Sequence, residues 1–285
     1  MEPNIQLKNL HFGYSKKNKL FENLNLNLFP GHIYGLLGKN GAGKTTLLKI
    51  MAGLCFPKQG ESLIFNKQSQ YRYPDILEKI YFLPEEIFIP HLQIKSYVKN
   101  YAAFYPKFNH DQFIHYLEEF EITDQETYLD KISHGQKKKV VMSFALATNT
   151  DILFMDEPTN GLDIPSKSIF RRIMASAADE NRVIIISTHQ VRDLHSLIDS
   201  IIILDNGEII LNEPNEKITE KLRFKLHDDS DREESVIYKE ETLQGIWIVK
   251  ENLEKIDSKL DIELLFNAMV SDKKRIKEIF KPFND

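Results

Sequence analysis

Cysteine is all but missing from this chain of 285 residues, with Cys55 the only one. That excludes an intrachain disulfide and a zinc site built on cysteines, and makes a reducing cytosol the expected setting. Long hydrophobic runs are missing too. None approaches the ~18 apolar residues of a membrane span, and the longest have strand length. Met1-Glu2-Pro3-Asn4 has neither the basic nor the apolar region of a secretory leader, so action at a membrane would require another chain to supply the spanning part. An excess of basic charge is also lacking: 37 Lys and Arg stand against 42 Asp and Glu, a net charge of −5. Such a balance argues against a surface that wraps nucleic acid, and no nucleic-acid partner is expected. Internal repeats and low-complexity tracts are absent. What is present is the composition of an ordinary globular protein, long enough for one large domain or a large domain plus a small one.

Two runs that alternate apolar and polar residues, Ile5–Phe12 and Phe21–Phe29, flank the polar stretch Ser15-Lys16-Lys17-Asn18 and predict an antiparallel pair. Ile33–Leu37, Ser62–Phe65, Lys79–Leu83, Asp151–Met155 and Val183–Ser187 read as strands. Helical spacing runs from Leu92 to Phe120 with a break at Tyr105-Pro106-Lys107, and further helices are predicted at Gly135–Ala147, Ser166–Ala178 and Val191–Leu197. Ile201–Leu204 and Glu208–Leu211 flank Asp205-Asn206-Gly207, a hairpin signal. Strands alternating with helices imply a largely parallel sheet covered on both faces. Beyond Leu211 the texture changes, with a helix predicted at Asn215–Phe224 and an acidic break at Asp228–Glu234, read as a solvated loop. Strand-like runs at Val236–Lys239 and Gly245–Val249 and helices at Ile262–Val270 and Lys273–Phe280 follow. Trp247 is expected to be a core residue, and a boundary is placed within residues 212–230.

The most informative stretch is Gly38-Lys39-Asn40-Gly41-Ala42-Gly43-Lys44-Thr45, which fits a phosphate-binding loop at every defined position. A buried strand precedes it, and Thr46–Ala52 reads as the first turns of a helix. Glycines let successive backbone N–H groups curl around phosphate oxygens, and the helix N-terminus adds partial positive charge. Lys44 would reach the β- and γ-phosphates and the Thr45 hydroxyl would ligate Mg²⁺. This implies binding of a nucleoside triphosphate.

Ile152–Met155 ends in two carboxylates, Asp156 and Glu157. A strand that delivers a carboxylate at its C-terminal end places a metal ligand opposite the phosphate loop, here Asp156, and leaves Glu157 to polarise an attacking water. Ser133-His134-Gly135-Gln136 opens a helix, as an ordinary cap does, and its hydroxyl and glycine N–H also make an anion-binding device. His189 emerges after the Val183–Ser187 strand on the same sheet edge, and Pro158–Asp163 is a turn that carries Asp163 away from its own site. Lys137-Lys138-Lys139 reads as a solvated helix face.

Together these motifs resemble the nucleotide-binding subunit of an ABC transporter over residues 3–211 or so. Gly38–Thr45 and Ile152–Asp156 match the two Walker motifs, Ser133–Gln136 the signature, Asp163 the D-loop aspartate and His189 the switch histidine. The resemblance makes Tyr14 the candidate adenine-stacking aromatic and puts Glu85 at the metal-ligating position of the Q-loop, where the family usually has Gln. His134 stands where the signature has its first glycine.

The implied fold is α/β, a P-loop NTPase with a RecA-like core, an antiparallel N-terminal β part, a small helical insert and a small C-terminal α+β extension. The implied domains are an ATPase domain at 1–215, with the insert at roughly 86–134, and an accessory region at 216–285. ATP and Mg²⁺ are the implied ligands. Glu157 and His189 would act catalytically, and Thr45, Glu85 and Asp156 would hold the metal. Tyr14, Gly38–Thr46, Ser133, Gly135, Gln136 and Asp163 would bind nucleotide, with the signature of one subunit on the ATP of the other. The expected partners are separate transmembrane permease subunits and a second ATPase, either a copy of this chain or a relative, on the cytoplasmic face of the cell membrane. Phe104-Tyr105-Pro106-Lys107-Phe108-Asn109 looks like the insert of ABC-2-type exporters, which leans the direction to export. The alternatives are a soluble non-transport ABC ATPase and an ATP-binding regulatory module with weak hydrolysis.

Overall fold

Alternating burial makes Ile5–Phe12 (β1) and Phe21–Leu28 (β2) an antiparallel pair, with Leu7 opposite Leu26 and Leu10 opposite Leu24 beneath one apolar face. The computed structural model describes residues 2–15, 19–190, 194–228 and 235–281. His32–Leu37 (β3) leads into the helix Lys44–Met51 (α1). Gln59–Ile64 (β4) pairs antiparallel with β1, and Lys67–Gln68 (β5) closes a four-stranded sheet of order β2-β1-β4-β5. Pro74–Leu77 (α2) and Ile80–Leu83 (β6) follow.

The expected insert contains Ile94–Tyr101 (α3) and His110–Glu119 (α4), with a single tight turn, Ala102–Phe104, and Pro106 between them. Asn109 caps α4 by accepting the Gln112 N–H. His134–Ala147 (α5), Ile152–Asp156 (β7), Ile164–Ser176 (α6), Val183–Thr188 (β8), Ser200–Asp205 (β9) and Glu208–Pro214 (β10) complete the large sheet, of order β10-β9-β3-β8-β7-β6. Its strands run parallel except β10, which returns antiparallel from the Asn206-Gly207 turn.

The central strands are nearly all apolar because both faces are covered. One face, with Tyr34, Leu36, Phe154 and Ile185, packs on α1 and the antiparallel sheet. The other, with Leu153, Met155, Ile184 and Ile203, packs on α5, α6 and the insert. Among the described residues no helix is long and apolar enough to cross a membrane.

Two sequence expectations need correction. The helix predicted at Asn215–Phe224 stops at Lys221 (Asn215–Lys221, α7), and Leu222–Leu226 (β11) is a strand. Leu222 and Phe224 are buried and alternate with partly exposed Arg223 and Lys225, a period of two that pairing with a neighbouring strand rewards. Of the helix predicted at Val191–Leu197, residues 191–193 lie outside the described residues, and 194–197 form turns. Residues 229–234 of the acidic break also lie outside them.

Val236–Thr242 (β12) and Gly245–Glu251 (β13) form a three-stranded antiparallel sheet of order β11-β13-β12, with Ile262–Ser271 (α8) and Lys273–Phe280 (α9) beside it. Trp247, expected in the core, is partly buried and packs against the same apolar cluster that runs through the parallel sheet. That cluster includes Phe224, Val249, Leu265 and Met269. His195 Nε2 donates to the Leu260 carbonyl at 2.7 Å, and Lys273 pairs with Glu208 at 2.6 Å. Because the apolar cluster is continuous, Leu265→Ala should lower stability by about 2–5 kcal/mol. Urea unfolding followed by Trp247 fluorescence and by far-UV dichroism should give coincident transitions. A separate early Trp247 transition would show that the C-terminal segment unfolds independently.

Candidate nucleotide site

β3, β8 and β7 end within one residue of one another: Leu37 lies opposite Thr188, and Asp156 opposite Ser187. The residues that follow are Gly38, His189 and Glu157. Gly43 precedes α1 at φ 104, where an L side chain would be strained, and a Cβ there would come within 2.9 Å of the Phe21 ring. No side chain caps α1, so its first N–H groups point out of the loop without a side-chain partner.

A cavity of about 470 Å³ opens over this edge, lined by Tyr14, Leu20, Asn40, Gly41, Gly43–Thr46, Glu85 and Glu157. Two larger cavities, of about 610 and 870 Å³, border the C-terminal region and gather none of the motif residues. Lys44 is buried and folds back on its own loop, donating to the Gly38 carbonyl at 2.8 Å and the Lys39 carbonyl at 3.4 Å. Burial lowers its pKa, while the carboxylates of Glu157, Asp156 and Glu85 pull the other way.

Asp156 is held on both oxygens. Thr45 Oγ1 donates to Oδ2 at 2.7 Å and Ser187 Oγ to Oδ1 at 2.5 Å. Glu157 sits at φ 46, with its N–H donating to the Ser187 carbonyl at 3.0 Å. His189 Nδ1 lies 2.7 Å from Glu157 Oε1, and the buried Oε2 has no hydrogen-bond partner among the described residues. Glu85, on the cavity rim, accepts from Asn160 Nδ2 at 2.8 Å. Tyr14 is 66% exposed, with its hydroxyl 2.8 Å from Thr46 Oγ1 and its ring edge-on to Phe12.

Other motif residues lie outside this cavity. Ser133 and Gln136 form a reciprocal cap on α5: Gln136 N–H donates to Ser133 Oγ at 3.2 Å and Ser133 N–H to Gln136 Oε1 at 3.0 Å. Gly135 lies beside Gly161, and exposed His134 also neighbours that turn. Asp163 is exposed and caps α6 by accepting the Ser166 N–H at 2.8 Å. Hydrogen bonding to Ser166 holds its carboxyl below the usual range.

Two site residues escaped the sequence reading. Ser187 was read only as the end of a strand, and no local pattern shows that it will face Asp156 of the neighbouring strand. Lys138, expected on a solvated face, is 1% exposed and donates to the carbonyls of Glu157 and Asn160, both at 2.8 Å. A signal was available: Lys138 stands three and four residues before buried Val141 and Met142, on the inward side of α5.

The ABC transporter family model matches residues 21–160. An uncharacterized ABC transporter ATP-binding protein of Methanocaldococcus jannaschii is 28% identical over 276 residues, covering 93% of this chain and 99% of that protein. The bacitracin transport ATP-binding protein of Bacillus licheniformis is 31% identical over 219 residues, 74% of this chain and 72% of the relative. A solved ATP-binding subunit of an ABC transporter shares the fold, with a TM-score of 0.68 at 23% identity over 75% of this chain and 91% of that one. With relatives spanning the phosphate loop, the carboxylate-ended strand and nearly everything between and beyond them, this chain belongs to the ABC transporter family, as an ATP-binding subunit and ATPase.

Proposed function

We propose that ATP closes this chain into a dimer, with a second copy or a related ATPase subunit, and that hydrolysis reopens it. The cycle drives export through separate transmembrane permease subunits at the cytoplasmic face of the cell membrane. Residues 1–215 form the ATPase domain, with the insert at roughly 86–134, and 216–285 an accessory region. Export rests on the resemblance of Phe104–Asn109 to ABC-2-type inserts.

The observation that carries the catalytic reading is the carboxylate of Glu157. One oxygen is 2.7 Å from His189, and the other is buried without a partner among the described residues, beside the phosphate-loop cavity. A carboxylate so placed takes a proton from a water as that water's oxygen attacks the γ-phosphorus and the bond to the β–γ bridging oxygen breaks. His189 orients the carboxylate by donating to it from Nδ1. Lys44 leaves its loop carbonyls to bind the β- and γ-phosphate oxygens, which also receive the N–H groups of Gly38–Thr46.

The donor set fits Mg²⁺, which takes one or two carboxylates and a hydroxyl alongside substrate phosphates. The Thr45 hydroxyl and Asp156, 2.7 Å apart, would hold it, together with Glu85, which lines the same cavity as Thr45. The ion would neutralise charge on the triphosphate. The exposed ring of Tyr14 is available to stack on adenine.

Ser133, Gly135, Gln136 and Asp163 act on the nucleotide held by the other subunit. Supporting this, among the described residues a Cβ on Gly135 would meet only the Gly161 carbonyl, at 3.6 Å, so none of them requires glycine there. A phosphate brought against that backbone would.

Glu157→Gln should lower kcat for ATP by about 10²- to 10⁴-fold with nucleotide affinity retained. Turnover at the unmodified rate in a steady-state assay would remove Glu157 as the base. Lys44→Ala should weaken nucleotide binding about 10- to 100-fold, the worth of a charge-assisted hydrogen bond; undiminished affinity by fluorescence titration contradicts the loop assignment. Affinity capture from membranes solubilised from the native cell should bring down a multi-span protein, whereas ribosomes or DNA in its place would favour a soluble ATPase.

A further inference from the structure

Beneath the cavity lies a cation that is not part of the phosphate loop. Lys138, on α5, is 1% exposed, and its Nζ grips the carbonyls of Glu157 and Asn160 at 2.8 Å each. Those two carbonyls bracket the turn that follows β7. Glu157 is there at φ 46, in the left-handed region that a residue with a Cβ occupies only when its surroundings hold it. Its backbone is held at both ends: the Ser187 carbonyl and hydroxyl accept from its N–H, and its C=O accepts from Lys138 and from the Asn160 N–H. The other end of the grip, Asn160, spans two elements. Its Nδ2 donates to Glu85 and its Oδ1 accepts from Gln190, one residue past His189.

Burying an ammonium group is costly unless it is hydrogen-bonded and faces negative charge. Burial lowers the Lys138 pKa, but two carbonyls accept from its nitrogen, and the carboxylates of Glu85, Glu157 and Asp156 lie near enough to pull the other way. An apolar side chain of the same length would fill the space without that desolvation, but would leave the Asn160 carbonyl without its donor among the described residues and the Glu157 carbonyl with the Asn160 N–H alone, at 3.2 Å.

We propose that Lys138 is a positioning residue for ATP hydrolysis. By gripping the Glu157 and Asn160 carbonyls it holds the Glu157 carboxylate where it can reach the attacking water. The same buried cation offsets the charge that Glu85, Asp156 and Glu157 gather on one side of the triphosphate. This rests on Glu157 being the base.

The test is steady-state ATP hydrolysis and nucleotide titration on the full chain, with Lys138→Met, Lys138→Arg and Glu157→Gln in parallel and a thermal melt of each. Lys138→Met should lower kcat about 30- to 100-fold while KM and nucleotide affinity stay within about twofold, since the misplaced group acts on the water and not on the bound phosphates. Lys138→Arg keeps charge and donors and should recover most of the lost kcat. If Lys138→Met does not fold, Lys138→Gln, which keeps an amide donor without charge, carries the same comparison. Unchanged kcat in the folded variant overturns the proposal. So does a fall in kcat matched by an equal fall in nucleotide-binding stoichiometry, the mark of a merely structural lysine. Full turnover in Glu157→Gln overturns the base assignment and this proposal with it, whereas an inactive Glu157→Gln beside a fully active Lys138→Met overturns the role of Lys138 alone.

Discussion

The parallel register of β3, β8 and β7 is the constraint on which the site depends. Because Leu37 and Thr188 end at one level and Asp156 ends one residue below them, the next residue of each strand emerges on one edge of the sheet. The phosphate loop, His189 and Glu157 are those next residues, with the loop more than a hundred residues before the other two in the chain. A slip of one residue in any of these pairings would turn the strand's buried side chains to the opposite layer and carry its functional residue off the edge. The apolar layers on both faces hold the register, so the packing of Phe154 or Ile186 bears on catalysis although neither lines the nucleotide cavity.

Charge is the second organising theme. Three carboxylates, Glu85, Asp156 and Glu157, and two largely buried ammonium groups, Lys44 and Lys138, stand around one small volume. The lysines come from opposite sides. Lys44 belongs to the loop and has phosphates to move to. Lys138 belongs to α5 and is tied to backbone carbonyls, so its charge stays in place whatever the cavity holds. A fixed cation of that kind is preorganised electrostatics: it needs no rearrangement when negative charge builds up nearby. α5 also carries Ser133 and Gly135 at its first turn, so one rigid helix presents a face outward and a positioning group inward.

The C-terminal segment is coupled to this machinery by packing and by a hydrogen bond. His195 stands six residues past His189 and donates to the Leu260 carbonyl, just before α8. Phe224, Leu265 and Met269 extend the apolar cluster that underlies the parallel sheet. The segment thus shares a core with the ATPase part while, among the described residues, its own three-stranded sheet makes no strand pairing with the larger ones.

The sequence by itself determined the elements and the chemistry. Local patterns sufficed where the physics is local: alternation for β1 and β2, uniformly apolar runs for β7 and β8, the turn glycine Gly207, and the phosphate loop, whose function follows from consecutive backbone N–H groups. Local pattern failed where a neighbour decides. The strand at Leu222–Leu226 exists because β13 lies alongside it, and a helical reading of the same residues was equally consistent with the chain alone. Lys138 looked like one of three solvated lysines until the turn after β7 was seen to present two carbonyls to it. Ser187 became a partner of Asp156 only through the pairing of β7 with β8. Which residues carry the chemistry was written in one dimension. Which oxygen each proton and each cation meets was decided by packing, because hydrogen bonds and buried charges depend on angstrom-scale distances between segments that the chain holds far apart.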